Sequence, residues 1–264
     1  MKTETYLKEF YENYDEDGRL TLPWGKIEYI TTMKYIEKYL RPGMRVLEVG
    51  AATGRYSHAL ARQGYEVDAV ELLQHNIELF NRNTQPGERV SVRQGNAMDL
   101  SDFPDDCYDI TLLLGPLYHL YNDEDKGRAL REAVRVTRPG GVIFAAYCMV
   151  DPSIVIFGFQ QGNIHSLIEK GMLDPVTFAG SSDPSELFEV VRTDDIKRLR
   201  GTLPVTPLHL VAADGYTNHM RQTMEQMDEK TYRLYLDYHL AVCERQDLIG
   251  FSHHTLDIFR KNEA

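Results

Sequence analysis

The sequence predicts a doubly wound α/β domain, a mostly parallel sheet of seven strands with helices on both faces. Three observations predict it. Strand-like apolar runs alternate with helix-period segments over residues 45–147. A glycine-rich turn, Gly50-Ala51-Ala52-Thr53-Gly54, follows the first of those runs. Residues 109–114 are apolar nearly throughout, the pattern of a parallel strand buried on both faces.

The elements follow in order. Residues 1–42 read as an N-terminal helical segment, in which Ile27, Ile30, Met33, Ile36 and Leu40 recur near the helical period before Pro42-Gly43 ends it. A first strand spans 45–49, and after the glycine loop a helix spans 56–63, stopped by Gly64. The second strand is 65–71, and its helix carries Leu73, Ile77 and Phe80. The third strand lies near 89–93 and the fourth at 109–114. A helix over 125–136 ends at the turn Arg138-Pro139-Gly140-Gly141, and the fifth strand is 142–147. Residues 148–192 break the rhythm, with helix-like pieces and no clear strand. A helix at 194–200, a sixth strand at 206–213, a helix near 228–246 and a last strand at 252–260 complete the chain.

Composition bounds the function. The 264 residues suit one α/β domain with insertions, and an apolar fraction of 42% supplies a substantial core. No stretch approaches the roughly 20 apolar residues of a membrane helix, and Met1-Lys2-Thr3-Glu4 does not begin a signal peptide. Cys107, Cys148 and Cys243 form no CxxC pair, so reduced thiols in a cytoplasmic protein without a metal are expected. A net charge of −11 repels a phosphate backbone, and the short basic run Lys197-Arg198-Leu199-Arg200 suits a solvated helix face, which disfavours nucleic acid as partner.

In doubly wound sheets ligands lie beyond the carboxyl ends of the strands, so three loops should meet one ligand. The first loop is not a dinucleotide fingerprint, because Ala52 and Arg55 stand where two of its three glycines belong. It is not a phosphate-binding loop either, because Gly54 is followed by Arg55-Tyr56. It suits a ligand without a pyrophosphate. Glu71 ends the second strand, where a carboxylate can accept ribose hydroxyls, and Leu72 can pack on a base. In the third loop, Gly95-Asn96-Ala97-Met98-Asp99, Asn96 suits an adenine edge or else an Asx turn.

Together these residues resemble the class I methyltransferases that use S-adenosylmethionine. Glu48, Gly50 and Gly54 match the family's acidic residue and glycine loop, with Ala51 within it and Ala52 replacing the middle glycine. Glu71 matches the ribose-binding acid, and Asn96-Ala97 the adenine-contacting Asp-Ala, followed by Met98. The run from Leu114-Gly115 to Leu120 looks like the loop after strand four in a small-molecule branch, and Arg138-Pro139-Gly140-Gly141 like the turn before strand five. The resemblance implies a Rossmann-like methyltransferase fold with an antiparallel last strand inserted between the fifth and sixth. It implies S-adenosylmethionine as cofactor and a small organic methyl acceptor. Ala52 fits such a loop if its φ is negative. In the family the leading helix often folds over the cofactor, and Tyr14 is the aromatic expected to touch it.

His119, just past strand four, is the candidate general base. His209, His253 and His254 have no His-x-x-x-His spacing and no evident Cys or Asp partner, so structural roles are expected. The strand-four loop lacks the Asn/Asp-Pro-Pro-Tyr motif of enzymes that methylate planar amides or base amines. Topology places the insertions 148–192 and 215–250 on the cofactor edge. Ile154, Ile156, Phe157, Phe159 and Phe178 in the first, and Met220, Met224, Met227, Tyr232, Tyr235 and Tyr238 in the second, would form either an apolar lid or the insertions' own cores. Two other readings stand beside the methyltransferase: a non-catalytic binding module on the same fold, and a nicotinamide-dependent dehydrogenase.

Overall fold

The computed structural model describes residues 2–14 and 16–263. Its sheet contains β1 (Arg45–Val49), β2 (Glu66–Glu71), β3 (Val90–Gln94), β4 (Tyr108–Leu113), β5 (Thr137–Met149), β6 (Val190–Val191), β7 (Val205–Ala212) and β8 (His254–Lys261). The strand order is β3-β2-β1-β4-β5-β8-β7, with β6 paired to β5. All pairings are parallel except those of β8, which runs antiparallel between β5 and β7. The seven expected strands are therefore present, the inserted antiparallel last strand among them.

The helices are α1 (Lys2–Tyr11), α2 (Glu16–Arg19), α3 (Pro23–Tyr39), α4 (Arg55–Arg62), α5 (Gln74–Asn83), α6 (Asp123–Val136), α7 (Val150–Ser153), α8 (Ile164–Glu169), α9 (Thr193–Arg200), α10 (Arg221–Gln226) and α11 (Glu229–Val242). Local chemistry sets their ends. Pro23 opens α3 at a position where a missing N–H costs nothing. Asn122 accepts the Asp125 amide at 2.8 Å to cap α6, whose first turn carries Asp123, Glu124 and Asp125 against the helix dipole. Asp228 caps α11 through the Thr231 amide at 2.7 Å. No helix among the described residues is long and apolar enough to cross a membrane.

β4 is buried along its whole length between β1 and β5. The registers Val49↔Val70 and Val49↔Leu113 bring the ends of β1, β2 and β4 level, so the loops after them open on one edge.

The structure departs from expectation in three places. β5 begins at Thr137 rather than 142, because Thr137 pairs with Tyr108 and Val142 with Ile110, and the turn residues bulge between these pairs, with Gly140 at φ +76°. The segment 148–192 does contain a strand: β6, two residues long, pairs with Cys148 and Met149. The rest of that segment includes a wide π-helical stretch, Ile154–Gln160. Finally, apolar residues of the second insertion pack on α3. Met224 is buried with Trp24 and Ile27 of α3, and Met220, Met227, Tyr232 and Tyr235 pack around them. None of the six apolar residues expected there lines either cavity described below.

Candidate functional site

A cavity of about 590 Å³ opens at the carboxyl edge of β1, β2 and β4, and the three expected loops line it together. Glu48, Gly50, Ala51, Glu71, Leu72, Asn96, Ala97, Met98, Leu114, Gly115 and His119 all face it. The first loop turns sharply over β2, with the Gly50 and Ala51 amides donating to Val70 O at 2.8 and 3.1 Å. Gly50 has φ +76°, and a Cβ there would lie 2.6 Å from Pro116 Cδ. Gly54 has φ +87°, and a Cβ there would strike the Phe80 ring at 2.5 Å. Only glycine fits either position.

Ala52 corrects one expectation. Its φ is +46°, not negative, a left-handed conformation that costs an L-residue about 1–2 kcal/mol. It is held there by its amide, which donates to Glu71 Oε2 at 2.9 Å. The other Glu71 oxygen accepts the Leu73 amide at 2.9 Å and Asn76 Nδ2 at 3.1 Å. Burial raises the Glu71 pKa while these donors oppose the shift. The carboxylate is thus fixed in direction at the end of β2, with acceptor capacity left for hydroxyl donors.

Glu48 faces the cavity but spends one carboxylate oxygen on α4, accepting both the Ser57 amide, at 2.9 Å, and the Ser57 hydroxyl. Burial pushes its pKa up to about 7. Asn96 forms the Asx turn, its Oδ1 accepting the Met98 amide at 2.9 Å, while the residue still lines the cavity.

His119 ends a single 3₁₀ turn, Pro116–His119, after β4. Its Nδ1 lies 2.8 Å from Leu187 O and its Nε2 3.0 Å from the Tyr11 hydroxyl. A carbonyl can only accept, so Nδ1 carries the proton and Nε2 accepts from Tyr11. Burial lowers the His119 pKa to about 4, against the opposing Leu187 carbonyl. The ring is neutral near pH 7 and both nitrogens have protein partners. Tyr14 is also placed differently from expectation. It stacks on Phe10, with centroids 4.7 Å apart, and lines a second cavity rather than the first. It lies beyond the end of α1, whereas Tyr11, still in the helix, reaches the first cavity.

The second cavity, of about 450 Å³, lies beneath the first insertion. Ile154, Ile156, Phe157, Leu173 and Phe188 form much of its wall, whereas Phe159 and Phe178 point to solvent with 58% and 42% of their surface exposed. Tyr11, Arg19, Tyr118 and His254 line both cavities. At this junction Arg19 binds Glu28 through two nitrogens, at 2.6 and 3.2 Å. His254 Nδ1 lies 2.7 Å from Asp214 Oδ2 and 3.3 Å from Glu28 Oε2. Burial alone would lower the His254 pKa, but Glu28, Cys148 and Asp214 hold it well above 6.5. Burial would likewise raise the Asp214 pKa, yet His254 keeps it well below the carboxylate range.

Comparisons with known proteins join this geometry. Residues 47–145 match the family described as a methyltransferase domain. The demethylmenaquinone methyltransferase of Lysinibacillus sphaericus is 31% identical over 134 residues, 49% of this chain and 53% of that enzyme. The chain thus spans about half the length of that relative. The ubiquinone biosynthesis O-methyltransferase of Pseudomonas fluorescens is 27% identical over 190 residues, 70% of this chain and 79% of that enzyme. A SAM-dependent methyltransferase from Methanosarcina mazei superposes with a TM-score of 0.58 at 16% identity, covering 87% of this chain and 98% of that one, which shows the shared fold. Residues 47–145 thus carry a methyltransferase domain, on a fold shared with an S-adenosylmethionine-dependent methyltransferase.

The residues that line the first cavity fit S-adenosylmethionine, the cofactor that the methyltransferase domain implies. The Glu71 carboxylate is aimed by three donors and retains capacity for a ribose diol. A Cβ at Gly50 would close the space against Pro116, and one at Gly115 would approach Gly50 O to 3.3 Å, so both glycines leave room at the first loop. Sequence reasoning singled out neither Glu28 nor Asp214, gave Arg19 no role at the site and expected only a structural role of His254. They lie far apart in the chain and share no motif. The one available signal was Asp214, a carboxylate that directly follows the apolar run Leu210-Val211-Ala212-Ala213.

Proposed function

We propose that this protein transfers a methyl group from S-adenosylmethionine, held in the first cavity, to a small hydroxy-aromatic acceptor held in the second. The observation that carries the proposal is that Tyr11, Arg19, Tyr118 and His254 line both cavities, so that the two pockets adjoin. When bound, the cofactor supplies an electrophilic methyl group on a sulfonium. The protein's own task is to orient the two reactants and exclude water.

Glu71, Leu72 and Asn96 would hold the nucleoside, with Glu48, Gly50, Ala51, Ala97, Met98, Leu114 and Gly115 shaping the space around it, while Gly54, which does not line the cavity, would act through the turn it allows against Phe80. Tyr14 would face the acceptor. The second cavity is mostly apolar and has the size of a small-molecule pocket, which suits one aromatic ring better than a long prenyl tail. The names of the relatives, which concern menaquinone and ubiquinone biosynthesis, point to the same acceptor class. His119, in this reading, is a positioning residue: its Nε2 accepts the Tyr11 hydroxyl and so fixes Tyr11 at the junction.

The test is calorimetry with S-adenosylhomocysteine, followed by turnover assays with a panel of catechols and hydroquinones read as S-adenosylhomocysteine release. Binding with turnover of at least one phenolic acceptor is expected. Absence of cofactor binding would overturn the whole reading; binding with turnover confined to amines or carboxylates would overturn the acceptor class.

A further inference from the structure

We propose that Cys148, His253 and His254 form a binding site for a divalent cation of the zinc class in the wall of the second cavity. Cys148 near the end of β5 is the register partner of His254 at the start of β8, and His253 immediately precedes it. One ligand atom from each of the three residues lies within 4.8 Å of the others. All three residues line the second cavity.

Two further observations point to a ligand. His253 Nδ1 is shut away from solvent and has no hydrogen-bond partner. A buried nitrogen left without a partner is unfavourable, and no hydrogen bond of the protein satisfies this one. A cation would. Meanwhile Asp214 takes the Nδ1 side of His254 at 2.7 Å, leaving Nε2 as the atom free to coordinate. A carboxylate that orients a histidine in this way is the usual outer support of a metal-bound imidazole. Asp214 is itself fixed, since its Oδ1 accepts the Ser252 hydroxyl at 2.8 Å and the His254 amide at 3.0 Å, and its Oδ2 accepts Asn218 Nδ2 at 2.6 Å.

The donor set decides the metal. Once a bound cation has displaced the thiol proton of Cys148 and the Nε2 proton of His254, one thiolate and two neutral imidazoles favour zinc, whereas magnesium and calcium seek oxygen. Closing from 4.8 Å to the tetrahedral separation set by bonds of about 2.3 Å to sulfur and about 2.0–2.1 Å to nitrogen needs only small side-chain rotations. The surrounding charges are Glu28 and Asp214, with Arg19 bonded to Glu28, and Arg221. Arg221 is held over the Trp24 ring at 4.0 Å and bonded to Asn218. Three protein ligands leave a fourth position, which opens to the cavity and suits a hydroxyl or thiol oxygen or sulfur. Glu28 and Asp214 also gather on His254, but their bonds to Arg19, Ser252 and Asn218 make them supports rather than ligands.

The experiment is a Co²⁺ titration of the chelator-treated full chain under reducing conditions, followed by displacement with Zn²⁺. Its readout does not depend on methyl transfer, so it stands or falls separately from the function proposed above. A near-ultraviolet thiolate-to-cobalt band and intense visible bands of a tetrahedral site are expected, saturating at one equivalent. Cys148→Ser should abolish the near-ultraviolet band, whereas Cys107→Ser should leave it intact. Asp214→Asn should keep the band and weaken Zn²⁺ binding about 10–100-fold. His253→Gln should weaken it by at least about tenfold, with circular dichroism confirming that each variant is folded. Wild-type protein without a thiolate band, or a band that survives Cys148→Ser, would overturn the proposal.

Discussion

The Tyr11 hydroxyl donates to His119 Nε2 at 3.0 Å, joining the N-terminal helix to the turn after β4 across 108 residues of sequence. Leu187 O takes the opposite ring nitrogen at 2.8 Å, so the imidazole ties three separate segments around the junction of the two cavities. That relationship makes stability depend on pH. The His119 pKa is lowered by burial from 6.5 to about 4. The unfolded chain therefore binds more protons than the folded one between those values. Stability contributed by the neutral ring is fully present above pH 6.5 and is lost as pH falls towards 4, on the order of 3 kcal/mol for a shift of this size. Urea denaturation at stepped pH should show this decline, and His119→Gln should flatten it. An equal decline in the variant would assign the effect elsewhere.

Glu71 is aimed by three donors, so its removal should harm the cofactor site more than the fold. Glu71→Ala should weaken S-adenosylhomocysteine binding roughly tenfold to a hundredfold, the value of about 1.5–3 kcal/mol for hydrogen bonds to a charged group. Calorimetry checks it. Affinity within about twofold of wild type would mean that the ribose lies elsewhere.

Ala52 sits at φ +46° in a loop where glycine would be unstrained. Ala52→Gly should raise the unfolding free energy by up to about 1 kcal/mol, relief of left-handed strain outweighing the added chain entropy. Thermal unfolding measures this. A lowered melting temperature would show that the Ala52 methyl contributes packing worth more than the strain.

Lys126 in α6 is 2% exposed and pairs with Glu189 at 3.1 Å, which anchors the end of the first insertion to the sheet layer. Lys126→Met should cost about 3–5 kcal/mol by leaving a buried carboxylate without its cation. The double variant Lys126→Met with Glu189→Leu should recover most of that loss, since apolar replacements of a buried pair are often neutral. Chemical denaturation of the set checks both steps. No recovery would show that Glu189 has a second structural role.

Much of the core was legible because its signals are local. Residues 45–49 have the composition of a strand and form β1 with those bounds. The glycines at 50 and 54 are required where the chain takes positive φ against Pro116 and Phe80. Glu71 and Asn96 follow strands whose parallel registers bring their ends level. The bulge within β5 and the two-residue β6 were not legible, since each exists only through its partner strand.

Periodicity, glycine placement and the spacing of three strand ends determined the fold class and the cofactor edge of this protein, because those features are properties of consecutive residues. Tertiary structure alone decided the rest. It put Tyr11 rather than Tyr14 at the first cavity, folded the methionine-rich insertion onto α3, and brought Glu28, Cys148, Asp214 and His254 to one junction. The physical reason is that side chains contributed by elements far apart in sequence meet only when the sheet pairs and the helices bury their faces, and no local pattern encodes which of them will share a cavity.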